Sequence, residues 1–189
     1  AASDVYKRQL LNDKEIFIKK LKELIPDKYR EQSIEIGKQM DMSVFKYVKG
    51  KILMAVYVGV AVGIFLGIIG VDFALVIGII TMFADIIPYI GPFLGLAPAT
   101  VFALLDSPTK AIFVIIMFLF LQWTENNIVG PKIMSDQLGY HPMIVLIITI
   151  AGGFLFGFIG MIFALPLVIA IEVVYRYYME NIKAKKKLD

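Results

Sequence analysis

The stretch Thr81–Pro98, TMFADIIPYIGPFLGLAP, decides the fold because it is apolar enough for a lipid bilayer and yet contains one carboxylate and three prolines. Each proline lacks a backbone N–H and frees the carbonyl one turn earlier, so Pro88 should free the carbonyl of Ala84 and Pro92 that of Pro88. At membrane depth these carbonyls, like the carboxylate of Asp85, require protein or water around them. A broken helix beside an intramembrane acid is typical of a transporter site. The alternative is a proline-kinked helix that places Asp85 at the membrane interface.

Composition places the chain among the polytopic membrane proteins. Hydrophobic residues make up 59% of it and the mean hydropathy is +0.77, whereas a soluble domain is about 45–50% apolar. The chain has no cysteine and one histidine, His141, so the sequence predicts neither a thiolate nor a multi-histidine metal site. It contains no Ser/His/Asp set and no phosphate-binding glycine loop. We therefore predict an all-α membrane protein that is not an enzyme and binds no cofactor, metal or nucleic acid.

The positive charges predict the orientation in the membrane. Of the 19 Lys and Arg residues, all but Lys110 and Lys132 lie before Ile52 or from Arg176 onward. Because positive charge flanks membrane spans on the cytoplasmic side, both termini are predicted to be cytoplasmic. Acids outnumber bases between these two regions, which would suit a path for cations but could equally reflect acids in loops.

Segment lengths and breakers predict the organisation of the chain. We expect a non-native or disordered leader at 1–9, a cytoplasmic amphipathic helical arm at 10–50, a transmembrane domain at 51–178 and a basic cytoplasmic tail at 179–189. Helical segments of the transmembrane domain are predicted at about 51–70, 73–90, 93–105, 110–128, 142–158 and 161–178.

Four details of this organisation are open to a structural test. A helix that opens after Pro26 shows no stop signal and should run directly into the first span. The segment 93–105 is short, so 73–105 forms either a re-entrant hairpin with its tip near Tyr89 or two short crossings. Gly130-Pro131 is predicted to end the fourth helix, and Glu172 should pair with Arg176 one turn later.

Small residues at four-residue spacing predict close helix packing in the membrane. One predicted ridge contains Gly59, Gly63 and Gly67, and a second pair is Gly153 and Gly157.

Polar residues in the apolar segments predict a pathway for a solute or an ion. Gln122, Glu125 and Asn126 share one helical face, which would be costly against lipid and should face the same cavity as Asp85. The alternative is an interfacial helix end with Trp123 in an aromatic belt. His141 could act as a proton-sensitive latch or simply cap a helix. The predicted pathway residues are Thr81, Asp85, Pro88, Tyr89, Gly91, Pro92, Gln122, Glu125, Asn126, Pro131, His141 and Pro142.

Several separated motifs resemble those of the AI-2E family, the autoinducer-2 exporter-like transporters. They are DIIPYIGP at 85–92, QWTENNIVGPKIM at 122–134, LGYHP at 138–142 with the glycine-rich run 152–166, and the linker LIPDKYR at 24–30. The resemblance covers roughly residues 11–178, and the chain resembles the C-terminal half of a family member. It implies a homo-oligomeric (pentameric) transporter of the inner membrane without an organic cofactor, linked to export of small signalling molecules or to sodium/proton exchange.

Three functions are therefore compared below. The first is a secondary transporter that exports a small polar solute, such as a quorum-sensing signal, coupled to an ion gradient. The second is a sodium (or other cation)/proton antiporter that uses the same acids. The third, of a different class, is a non-transporting membrane scaffold whose arm and glycine ridges bind partner subunits.

Overall fold

The computed structural model describes residues 27–133 and 140–185, and side chains at 30–133 and 140–180. The predicted leader, the arm up to residue 26 and the end of the tail at 186–189 lie outside the described residues. The described residues fall into two compact units: residues 43–171 form one, and the residues before 43 and after 171 form the other. Each unit is described by itself.

The described residues contain helices and no strands, which confirms the predicted all-α class. The helices are α1 (Asp27–Ile68), α2 (Ala74–Ala84), α3 (Ile90–Asp106), α4 (Pro108–Thr124), a π-helical segment (Glu125–Val129), α5 (Gly130–Ile133) and α6 (Pro142–Lys185). Within the part of the chain that the structure describes, three stretches are long and apolar enough to cross a membrane: Arg30–Ile68, Pro108–Ile133 and Pro142–Glu180.

Helix α1 runs without interruption from Asp27, directly after Pro26, to Ile68. The described residues begin at Asp27, and the continuity of the helix from there is the result expected from the absence of a stop signal in the sequence. The helix therefore joins the charged N-terminal region to the first apolar span as a single element.

Helices α2 and α3 are short and meet at a break in the chain. Helix α2 has 11 residues, about 16 Å, and cannot cross a hydrocarbon core of about 30 Å. Helix α3 begins at Ile90, earlier than the predicted 93, because Pro92 falls in its first turn and needs no backbone donor there. Residues 85–89 form the connection between the two helices.

The predicted helix stop at Gly130-Pro131 is wrong. The N–H of Gly130 donates to the carbonyl of Glu125, five residues earlier, and a further helical turn extends to Ile133. Pro131 lies in that turn, where its missing N–H leaves one helical hydrogen bond unmade without ending the helix.

Helix α6 bends back on itself at Gly157. This residue has φ 63° and ψ −147°, a conformation that essentially only glycine adopts. A Cβ at Gly152 would lie only 3.0 Å from the carbonyl carbon of Gly160, a proximity that a straight helix would not allow. The segments 142–156 and 158–171 therefore run side by side.

Residues 43–171 contain two apolar cores. The larger joins α1 to α4 and is built from Val58, Val62, Leu66, Val71, Ile77, Ala99, Ala103, Ala111, Val114, Met117, Phe118 and Leu121. The smaller joins α1 to both arms of α6 and contains Tyr47, Val145, Leu165 and Ile169. Large apolar side chains also point outward, up to Phe154 at 90% exposure, as expected for a surface in contact with lipid.

In the unit formed by the residues before 43 and after 171, the predicted ion pair between Glu172 and Arg176 forms within α6. The guanidinium of Arg176 donates to Glu172 Oε1 one turn earlier on α6, which confirms the predicted i,i+4 pair.

Candidate functional site: a buried ion cluster at the helix break

One lysine and two acids form a buried cluster inside residues 43–171. The Nζ of Lys51 donates to Asp85 Oδ2 at 3.0 Å and to Glu125 Oε1 at 3.3 Å. Lys51 is 9% exposed, Asp85 0% and Glu125 3%. With ordinary ionisation the cluster carries one positive and two negative charges. Charges are rarely buried without such partners, because their desolvation costs several kcal/mol each.

Three separate elements supply the three charges. Lys51 lies on α1, Asp85 follows the last residue of α2, and Glu125 opens the π-helical segment after α4. The N–H of Asp85 still donates to the carbonyl of Thr81, at 2.8 Å, so the backbone of α2 holds this residue in place. Segments of π-helix are rare and often occur at functional sites.

The break itself satisfies the carbonyls that the sequence analysis expected to be free. The Ala84 carbonyl accepts from the N–H of Ile87 at 2.9 Å, and the Pro88 carbonyl accepts from the N–H of Ile90 at 2.8 Å. Tight local turns thus replace the missing helical donors, and these two carbonyls do not require water. Among the side chains of this region, one buried acceptor has no hydrogen-bond partner.

That acceptor is Oδ1 of Asp85. It is buried and has no hydrogen-bond partner, whereas both oxygens of Glu125 are bonded, one to Lys51 and the other to Nε2 of Gln122 at 3.0 Å. Buried acceptors without partners are uncommon and call for an explanation such as an ion or a water. The two acids of the cluster are therefore not equivalent.

Hydroxyl groups lie on the inner side of the same helices. The hydroxyls of Tyr57 and Thr124 are 3.0 Å apart, and Thr124 is next to Glu125 in the sequence. The phenols of Tyr47 and Tyr89 are within electrostatic reach of the cluster. Tyr89 has φ 63° and ψ −37°, which is strained for a residue with a Cβ. Such strain often occurs beside functional sites.

The structure brings together some of the sequence-predicted pathway residues. Gln122, Glu125 and Asp85 are linked through hydrogen bonds and Lys51. Thr81 is fully buried; its hydroxyl donates to the carbonyl of Ile77, and its side chain lies against Gly95. Gly91 is buried against the backbone of residues 84 and 85.

Other predicted pathway residues lie outside the cluster. Asn126, Pro131, His141 and Pro142 are exposed, Tyr89 is partly exposed, and Pro88 and Pro92 are half-buried at the break. Nδ1 of His141 accepts from the N–H of Met143 at 3.3 Å, in the manner of a helix cap. That Asn126 faces the same cavity as Asp85 stays a prediction.

Some of the glycines predicted to form packing ridges lie at helix contacts, and others do not. A Cβ at Gly59 would lie 2.8 Å from the carbonyl oxygen of Gly78, and Gly63 lies against Ala74 and Gly78 of α2. Gly67 has no heavy atom within 4 Å of such a Cβ, and Gly157 forms the bend in α6 instead of a contact. Gly153 lies against Met161.

Sequence reasoning missed Lys51. It was counted with the basic residues that flank the first span, because Ile52 directly after it begins the apolar run. The sequence feature that could have identified it is its position at the edge of one apolar span, in a chain whose next apolar span contains the acid Asp85. Among the described residues, no group of three His, Asp or Glu side chains could hold a metal ion.

Comparison with known proteins assigns the family. Residues 9–180 match the family described as AI-2E family transporter. The chain belongs to this family. It is 33% identical over 164 residues to the "Putative transport protein YueF" of Bacillus subtilis (strain 168), which covers 87% of the chain and 44% of that protein.

Two further relatives agree with this assignment. The "Putative transport protein YrrI" of Bacillus subtilis (strain 168) is 31% identical over 170 residues, 90% of the chain and 48% of that protein. The "Putative permease PerM" of Escherichia coli (strain K12) is 28% identical over 167 residues, 87% of the chain and 47% of that protein. The AI-2E chain thus spans less than half the length of these relatives.

Proposed function

We propose that this AI-2E chain carries the ion-responsive site of a secondary transporter that exports a small polar solute. The observation that carries the proposal is the buried contact of Lys51 with both Asp85 and Glu125 at the break between α2 and α3. Intramembrane ionisable groups are costly and usually functional, and broken helices commonly provide their binding sites.

The charge of the cluster explains how it would respond to an ion. One ammonium and two carboxylates leave an excess negative charge in an apolar bundle, where an uncompensated charge is expensive. One added proton or monovalent cation brings the total to zero. Because Asp85 lies at the end of α2 and beside the short turns at 85–89, a change in its charge acts directly on the helix break.

The proposed setting is the inner membrane, with several membrane crossings, both termini in the cytoplasm and a homo-oligomeric, pentameric assembly. The shortness of α2 supports a re-entrant arrangement of 73–105, in which α2 and α3 leave and return on one side. Lys110 links the two ends of this segment, since its Nζ contacts the carbonyl of Gly70 at 3.0 Å and also pairs with Asp106, which suits a re-entrant hairpin and two short crossings alike. The ends of the hairpin formed by α2 and α3 therefore lie together.

Flux measurements test the proposal. The protein that contains this chain, at full length in proteoliposomes, should export autoinducer-2 at a rate that depends on an imposed proton or sodium gradient. Asp85→Asn should remove this dependence while the protein stays folded and inserted. Asp106→Asn is the matched control, because it also removes one acid that pairs with a lysine, but at the exposed end of α3.

The outcomes separate the candidate functions. Ion-dependent export that persists unchanged in Asp85→Asn would contradict the proposal. Exchange of sodium for protons without any solute would favour the antiporter, which the excess negative charge and the unpartnered Oδ1 of Asp85 also suit. Absence of both fluxes would favour the membrane scaffold.

A further inference from the structure

A relay of two hydroxyl groups joins α1 to the last turn of α4, beside the charged cluster. Thr124 Oγ1 donates its proton to the carbonyl of Leu121 at 2.8 Å. Because a hydroxyl has one proton to donate, the contact of 3.0 Å between the hydroxyls of Tyr57 and Thr124 has Tyr57 as its donor. The relay therefore runs in one direction, from the phenol of Tyr57 through Thr124 to a backbone carbonyl.

The carbonyl at the end of this relay also holds the backbone of Glu125. The N–H of Glu125 is shared between the carbonyls of Gln122 and Leu121. The hydroxyl of Thr124 and the N–H of Glu125 thus donate to one acceptor, the Leu121 carbonyl. From Glu125 onward the hydrogen-bond spacing lengthens, since the N–H of Gly130 donates to the Glu125 carbonyl, five residues earlier. The relay therefore ends in the turn where α-helix changes to π-helix and from which the Glu125 carboxylate projects.

We propose that Tyr57 and Thr124 are positioning residues that hold the carboxylate of Glu125 against Lys51. The inference rests on the proposed function and deepens it, because it assigns the geometry of the proposed ion-responsive site to two uncharged side chains. Both act through the backbone of Glu125, whose carboxylate oxygens are already bonded to Lys51 and Gln122.

Polar contacts attach this turn to α1 at two points that differ in rigidity. Lys51 contacts the Glu125 carboxylate at 3.3 Å, and Tyr57, about 9 Å further along α1, holds the adjacent Thr124. A lysine ammonium lies at the end of a flexible four-carbon stem. The phenol of Tyr57 has only two side-chain torsions, and it packs against the larger apolar core. Of the two attachments, the relay is therefore the one that fixes the turn.

Burial makes a single hydroxyl important at this position. Thr124 is 8% exposed and Glu125 is 3% exposed, so water has little access to replace a lost donor. Removing the phenol hydroxyl of Tyr57 deprives Thr124 of its donor, and removing the Thr124 hydroxyl also deprives the Leu121 carbonyl of one of its two donors. A buried polar group that loses its partner is costly, and the turn relaxes to find another.

The reactivity of Lys51 reports the position of Glu125, because this lysine loses one of its two acceptors when the Glu125 carboxylate moves away. Acylation of Lys51 by a water-soluble amine reagent is followed by mass spectrometry in the full-length protein in lipid nanodiscs. Tyr57→Phe and Thr124→Val should each raise the rate about fivefold, the factor that one hydrogen bond typically contributes to an equilibrium. Lys110, which is partly exposed, provides an internal reference whose rate should not change.

Three further variants distinguish positioning from a general loss of stability. Thr124→Ser keeps the hydroxyl and should leave Lys51 at the wild-type rate. Thr149→Val removes another buried hydroxyl that donates to a carbonyl, that of Val145 at 2.9 Å on α6, and should also leave Lys51 unchanged. Tyr57→Phe combined with Thr124→Val should react no faster than either single variant, since both changes break the same relay.

The outcomes separate this proposal from the proposed function. Acceleration in Tyr57→Phe and Thr124→Val that is absent in Thr124→Ser and Thr149→Val supports the positioning role, whether or not the flux assay detects export. If both variants leave Lys51 at the wild-type rate, or if their effects multiply in the double variant, the positioning role is wrong. An equal acceleration in Thr149→Val would also overturn it, because a general loosening of the bundle would be the cause. The flux assay with Asp85→Asn decides the proposed function independently of these rates.

Discussion

The ammonium of Lys51 lies 3.0 Å from Oδ2 of Asp85, although the two residues are 34 positions apart in the sequence. The contact joins the edge of the first apolar span to the break between two short helices. Its partner contact to Glu125 spans 74 positions, so one side chain connects three elements of the bundle. The cluster therefore holds three elements together and is also a site whose charge can change.

Removing Lys51 should destabilise the protein more than neutralising Asp85. Lys51→Met leaves two buried acids without a counter-ion and should cost about 3 kcal/mol, whereas Asp85→Asn leaves a neutral Lys51–Glu125 pair. Thermal unfolding in detergent without sodium, followed by size-exclusion fluorescence, should give a lower midpoint for Lys51→Met. A lower midpoint for Asp85→Asn than for Lys51→Met would show that Glu125 alone does not compensate the buried charge of Lys51.

Close contact of α1 with α2 should depend on glycine at its crossing point. Gly78→Ala places a Cβ 2.8 Å from the carbonyl oxygen of Gly59 and 2.9 Å from Cα of Gly63, so the helices must separate. We expect a loss of roughly 1–3 kcal/mol in the free energy of unfolding. Gly67→Ala is the control; it meets open space and should be neutral or stabilising by up to about 1 kcal/mol. Equal losses at both positions would exclude the crossing contact as the cause.

Backbone strain at Tyr89 should make this position prefer glycine to a β-branched residue. At φ 63° a Cβ is unfavourable, so Tyr89→Gly should be more stable than Tyr89→Val by at least about 1 kcal/mol. At Ile90, the first residue of α3, the order should reverse, because valine is the better helix former. Chemical denaturation of the four variants in mixed micelles provides the measurement, and a preference for valine at position 89 would contradict the strained conformation.

Two neighbouring residues of the π-helical segment should differ in accessibility. Asn126 is exposed and Glu125 is buried, and the chain has no cysteine of its own to remove. Asn126→Cys should react with a water-soluble maleimide much faster than Glu125→Cys, and the transported ion or solute should change the rate at position 126. Labelling of position 126 by lipid-phase probes alone would reject the shared cavity and leave an interfacial helix end.

The distribution of lysine and arginine predicts that both termini are cytoplasmic. Reporter fusions placed before Lys14 and after Asp189 should both give cytoplasmic signals. Opposite signals would require an odd number of membrane crossings and would show that the positive-charge rule fails for this chain.

Local chemistry was sufficient to predict the class and the main break of the fold. The run of apolar residues, with charges confined to the ends, predicted an all-helical membrane protein. Asp85, Pro88 and Pro92 predicted the interruption of the apolar segment, because proline and a buried carboxylate disturb a membrane helix wherever it packs. The continuity of α1 followed in the same way from the absence of a stop signal between residues 27 and 68.

Only the tertiary structure decided which residues share the site. Lys51 has the sequence environment of a flanking cytoplasmic lysine, and its role depends on how close α1 approaches α2. That approach is possible because Gly59 and Gly78 lack side chains at the crossing, and it carries Lys51 to the end of α2. Likewise, Glu125 is buried while its neighbour Asn126 is exposed, in a π-helical segment whose five-residue hydrogen-bond spacing is not visible in the sequence.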